Sequence, residues 1–116
     1  MKEFALIFRM DITTKEAQPT EEQMRGYMEQ WMSWINYIDQ EGQLVEGGNH
    51  FSREGRVLKA GKSIIEGPYI ADGNSIAGYI LIRATDMDDA TRVAEKCPIL
   101  QGENTSVEIR ELGQPG

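Results

Sequence analysis

Two stretches of this chain place apolar side chains on both faces of a strand, and that pattern constrains the fold more than any other feature. In Lys2 to Arg9, Phe4, Leu6 and Phe8 alternate with Ala5 and Ile7. In the stretch from Ile76 to Arg83, Ile76, Ile80 and Ile82 read as one face and Ala77, Tyr79 and Leu81 as the other. Successive side chains of a strand point to opposite faces, so both segments predict central strands of a sheet covered on both sides. Gly78, inside the second of them, predicts a bulge or a close backbone approach. By contrast Ser106 to Glu111 sets Val107 and Ile109 against Glu108 and Arg110, one dry face and one wet, as an edge strand does.

The connecting segments complete the plan. Asp11 to Pro19 is polar and reads as a loop. Thr20-Glu21-Glu22-Gln23 then has capping-box spacing, with acidic residues suited to the positive end of a helix dipole. Met24, Tyr27, Met28, Trp31, Trp34, Ile35 and Ile38 recur at steps of three and four, an amphipathic helix that Gly42 is placed to end. A short strand at Leu44-Val45 and a turn at Gly47-Gly48-Asn49 follow. Arg56 to Lys59 and Ser63 to Glu66 flank Ala60-Gly61-Lys62 as a small hairpin, closed off by Gly67-Pro68. Thr85-Asp86-Met87-Asp88 opens a second helix with a stripe of Ala90, Val93, Ala94 and Cys97, stopped by Pro98. The order is an α+β, ferredoxin-like β-α-β-β-α-β plan with an inserted hairpin. Its spatial order, 4-1-3-2, puts the two doubly apolar strands in the centre.

Right-handed crossovers carry both helices to one face of such a sheet. The other face keeps large apolar side chains, and an exposed apolar face of several hundred Å² is rare on a monomer. The expected cover is a second copy, packed sheet to sheet as a homodimer.

Length and charge bound the function. One domain spanning residues 1–116 is expected of 116 residues with 40% hydrophobic and 27% charged side chains. A net charge of −7 excludes a dominant phosphate-tracking surface, and so direct nucleic-acid binding. No apolar run approaches the roughly 20 residues of a membrane span, and without a charged–apolar–small pattern in the opening residues no signal peptide is expected. The single cysteine, Cys97, cannot form an intramolecular disulfide and suits the cytoplasm.

The residues around the hairpin and the second central strand resemble a known family. Ile65-Glu66-Gly67-Pro68-Tyr69 and Ile76 to Ala84 are similar to the signature block of the YCII-related, or DGPF-domain, family. Asp89-Ala90, Cys97-Pro98-Ile99-Leu100 and Val107 to Arg110 follow in that family's order, with Trp31, Trp34 and Gly47-Gly48-Asn49 upstream. The resemblance implies a ferredoxin-like domain of the dimeric α+β barrel group. It also implies an acid–base role proposed for a His–Asp pair in some members, and for others an association with transcription initiation. Here the chain departs from the pattern. Trp31 stands where many relatives hold the histidine, Glu66 and Tyr69 replace the aspartate and phenylalanine of the motif, and Ala71, Gly73 and Asn74 replace charged residues after it. The His–Asp pair does not carry over, which weighs against an enzyme of that type.

What chemistry remains rests on few side chains. His50 is the sole histidine, the residue type whose free pKa of about 6.5 suits proton transfer near neutrality. It reads either as an acid or base with Glu66 or Asp72 orienting it, or as a loop residue beside two glycines. Glu66 sits at a rigid Gly-Pro corner, either as a poised carboxylate or as a turn residue binding local backbone N–H groups. Trp31 and Trp34, with Met24, Met28 and Met32, form a ligand wall or simply the helix face on the sheet. Tyr69 and Tyr79 carry hydroxyls that can enter a cavity, or, for Tyr79 on a central strand, simply join the core. One His, one Cys and the run Asp86, Asp88, Asp89 match no metal-site spacing, and no cofactor motif is present. The expectation is a small-molecule-binding homodimer, its pocket lined by Trp31, Trp34, Glu66, Tyr69, Asp72 and Tyr79. The alternatives are a small isomerase- or lyase-type acid–base enzyme on an aromatic or lactone-like metabolite, using His50 or Glu66, and an adaptor associated with transcription initiation.

Overall fold

The computed structural model describes residues 1–12, 14 and 19–113; much of the expected loop at 11–19 lies outside them. The elements run β1 (Lys2–Met10), α1 (Glu21–Gln40), β2 (Leu44–His50), β3 (Arg56–Leu58), β4 (Ile64–Glu66), β5 (Ser75–Ala84), α2 (Met87–Ala94), a 3-10 turn (Pro98–Gln101) and β6 (Ser106–Glu111). An antiparallel sheet of order β2-β5-β1-β6 forms the body, and β3 and β4 pair apart from it as a two-stranded arm. The two doubly apolar strands are indeed central, with β6 at one edge. This is the α+β, ferredoxin-like arrangement that the sequence predicts.

The core lies between the sheet and the two helices. Phe4, Leu6 and Phe8 of β1 and Ile80 and Ile82 of β5 are buried against Trp31, Trp34 and Ile38 of α1 and Ala90, Val93 and Ala94 of α2. Burying each large apolar side chain contributes about 1.5–3 kcal/mol, which is what makes the helix-side face the stable one. Trp34 also donates its indole N–H to the Val93 carbonyl at 3.2 Å, tying α1 to α2. The opposite face, with Ala5, Ile7, Tyr79 and Leu81, is only half-buried. For α1 the capping box forms as expected: Gln23 N–H donates to Thr20 Oγ1 at 3.2 Å, and Thr20 N–H to Gln23 Oε1 at 2.9 Å. Gly42 follows the helix with φ of 73°.

Three local expectations are corrected. The glycines at 47 and 48 do not end the strand in a turn: β2 continues through them to His50. Gly48, at φ 65°, lies so close to the Tyr79 carbonyl that a Cβ there has no room. On the β5 side, a Cβ on Gly78 would stand 2.5 Å from the Asn49 carbonyl oxygen. Two residues without side chains thus let the backbones of β2 and β5 touch. Secondly, Gly78 pairs with Phe8 but Ile76 with Arg9, a bulge in β5. Paired residues share a face, so the bulge moves Ile76 to the outer face with Arg9 and Ile7, away from Ile80 and Ile82. Thirdly, α2 ends at Ala94, and Pro98 opens the 3-10 turn rather than stopping the helix. Proline fits a first helical position because its missing N–H has no partner there anyway. Cys97 therefore caps that turn while remaining buried.

Candidate functional site

At the end of the sheet where β1 finishes and β5 begins, two cavities open on opposite faces. The helix-side cavity, about 720 Å³, lies between α1, the tip of β2 and the 3-10 turn. The outer cavity, about 660 Å³, lies between the sheet and the chain that leads into and out of the arm.

The helix-side cavity is built on Trp31. The helical period directs this ring down onto Phe8, edge to face at 4.8 Å between centroids, and against Trp34 at 5.3 Å. Tyr27, one turn earlier, stacks on it at 6.1 Å and 28°. From the sheet side His50 brings its imidazole to 5.6 Å from the Trp31 ring. The backbone contact at Gly48 and Gly78 sets that position, since it fixes where β2 crosses β5 and His50 lies directly opposite Gly78. Met10, Met24 and Met28 add polarisable walls. Gln30 and Gln101 line the cavity as a pair, Gln101 Nε2 donating to Gln30 Oε1 at 2.5 Å.

Among the described residues lining this cavity none is Asp, Glu, Lys or Arg, in a chain of net charge −7. Its titratable groups are His50 and Tyr27. Burial, and to a smaller extent the Cys97 thiol, push the Tyr27 hydroxyl up to about 12, so it stays a protonated donor. Burial likewise pushes the Cys97 thiol up to about 12, where it supplies no nucleophilic thiolate near neutrality.

The outer cavity has a different character. Arg9, Phe51, Tyr69 and Asp72 line it. The Arg9 guanidinium is held by Glu108 at 3.0 Å, and the two arginines at positions 9 and 110 keep the Glu108 carboxyl below its ordinary range. Ser75 donates its hydroxyl to the Tyr69 carbonyl at 2.5 Å, which fixes the corner after Gly67-Pro68.

The residues singled out from sequence are therefore divided. Trp31 and His50 share the helix-side cavity; Tyr69 and Asp72 share the outer one. Trp34 belongs to the core. Tyr79 points outward, accepting from Asn49 at 3.3 Å and donating to Glu46 at 3.4 Å. Glu66 lines neither cavity; it is exposed on β4 and pairs with Arg56 at 2.9 Å. His50 sits at a strand end rather than in a loop, and among the described residues no carboxylate lines the cavity with it. The expected His50–Glu66 or His50–Asp72 arrangement is not assembled. Tyr27 and the Gln30–Gln101 pair were not picked out as site residues. Tyr27 carried a signal, its place on the helical stripe; the two glutamines, 71 positions apart, carried none. No group of three or more His, Cys, Asp or Glu among the described residues is placed to hold a metal ion.

A model of the YCII-related domain matches residues 7–113. The chain belongs to the YCII-related domain family. Among curated proteins none matches it. In this YCII-related domain the matched span takes in both cavities and the arm. No helix of the described residues is long and apolar enough to cross a membrane.

Proposed function

We propose that this YCII-related protein is a homodimer that binds a small, flat, largely apolar molecule in the helix-side cavity. The observation that supports this reading is the wall made by Trp31, Tyr27 and the His50 ring in a cavity that no described Asp, Glu, Lys or Arg side chain lines. Its volume is of the order of small-molecule sites, roughly 300–1,000 Å³. A ring system slides between such faces, and the polar atoms at the rim orient its edge. Tyr27 offers a hydroxyl donor, and pairing leaves Gln30 with an amide N–H and Gln101 with a carbonyl oxygen. The favoured ligand is an aromatic or lactone-like molecule without a strong fixed charge.

The test is titration with 2-coumaranone, a flat aromatic lactone, followed by tryptophan fluorescence and native mass spectrometry. Saturable quenching is expected, with affinity falling about tenfold or more in Trp31→Ala, equivalent to about 1.4 kcal/mol. Glu66→Gln should bind as the wild type does. Unsaturable quenching, or equal affinity in the Trp31 variant, would sink the proposal.

A second reading has one observation in its favour: the only histidine lines this cavity. In that reading His50 moves a proton at the carbon next to the bound carbonyl. Solvent deuterium exchange into 2-coumaranone then runs faster with protein than without, and His50→Gln slows it by about 100-fold or more. Equal exchange in the two proteins leaves binding alone.

A further inference from the structure

We infer that the β3–β4 arm is a clasp for a second copy of this chain, laid against the outer face of the sheet. The inference rests on the homodimer of the reading above and adds what holds it. An isolated two-stranded hairpin is marginally stable in water. Yet among the described residues β3 and β4 pair only with each other, and the cross-strand pair Leu58 and Ile64 is 67% and 54% exposed. The molecule measures 46 × 42 × 19 Å, with a radius of gyration of 15.5 Å. A compact chain of this length has about 13 Å. Such an apolar ribbon held away from its own body needs another surface.

Three features identify that surface as a second copy. The first is where the arm leaves the body. Phe51 and Glu54 before it and Pro68 and Tyr69 after it line the outer cavity together with Arg9 and Ile76 of the outer sheet face. Arm and outer face are therefore continuous, and a body resting on the sheet meets the arm.

The second is charge. Residues 53–66 carry four basic and two acidic side chains, a net of +2, while the rest of the chain carries −9. A basic, apolar arm fits an acidic body, and this chain is itself such a body. Under two-fold symmetry each copy offers one arm and receives one.

The third is area. Strands spaced about 4.8 Å apart and rising about 3.3 Å per residue give this four-stranded sheet a face of roughly 500 Å². Two such faces bury about 1,000 Å², whereas stable interfaces bury about 1,200–2,000 Å². The sheets alone fall short, and two clasping arms supply the difference.

The experiment is light scattering with size-exclusion over a micromolar dilution series, on the whole chain, with amide hydrogen exchange of the arm. The wild type should be a dimer whose arm amides lose protection on dilution. Leu58→Ser with Ile64→Ser should raise the dimer Kd at least about tenfold. Lys59→Glu with Lys62→Glu keeps the hairpin's apolar pair and should weaken the dimer as well. In both variants helical circular dichroism and 2-coumaranone binding should persist. A wild type that is monomeric at micromolar concentration overturns the dimer and the clasp together. A dimer whose Kd neither pair of changes moves overturns the clasp alone.

Discussion

At the scale of single residues, the positions that matter most are those with nothing on them. Gly48 holds φ of 65° against the Tyr79 carbonyl, whereas Gly61, at φ 81°, has open space around it. Gly48→Ala should therefore cost about 1–3 kcal/mol in urea unfolding, and clearly more than Gly61→Ala, which meets backbone strain alone. Gly78 was readable in advance, because a glycine inside an apolar strand signals a bulge or a close approach, and the structure has both. The flip of Ile76 was not readable, since a bulge inverts the faces of everything before it and leaves no mark in the alternation itself.

Asp89 gives a second residue-scale prediction. Its carboxylate accepts from Thr85 N–H at 3.0 Å and from Gln43 and Arg92. The Thr85 amide first, then Arg92, lowers its pKa below the ordinary carboxylate value. A group depressed in the folded state contributes stability that is present above its unfolded pKa and lost as pH falls through its folded one. Stability should thus fall on acidification below the ordinary aspartate range, and Asp89→Ala should flatten that part of the profile. At neutral pH the same change should cost about 1 kcal/mol, as loss of a helix-start acceptor does.

At the scale of elements, legibility followed the length of the periodic signal. Helix α1 repeats its apolar stripe over 20 residues and carries a capping box, so its start, end and buried face were all evident. Thr20→Ala should cost about 1 kcal/mol and fray the first turn, seen as faster amide exchange there than in the middle of the helix. Strand β2 was legible only in its first two residues, because glycines favour turns and nothing local says that a neighbouring strand will press against them. The 3-10 turn at Pro98 was hidden for a similar reason: proline ends and begins helices with equal ease. The arm was evident as a hairpin, but its separation from the main sheet depends on tertiary pairing.

At the scale of the whole molecule, the fold was recoverable and the site was only half so. Which strands lie in the middle follows from counting apolar faces. Which side chains meet in one cavity does not, because His50, Glu66 and Asp72 lie within one stretch of chain that wraps round the end of the sheet. His50 falls on the helix side, Asp72 on the outer side and Glu66 out on the arm. A chain can keep such residues close in sequence and still separate them by the thickness of a sheet.

The bare backbone contact between β2 and β5 also has a bearing on how this cavity can change. A strand whose place is set by main-chain atoms does not depend on its side chains for register. The residue at position 50 can therefore be exchanged while its anchor point holds still. One peg, drilled into the neighbouring strand, leaves the adjoining socket free to accept a different tool.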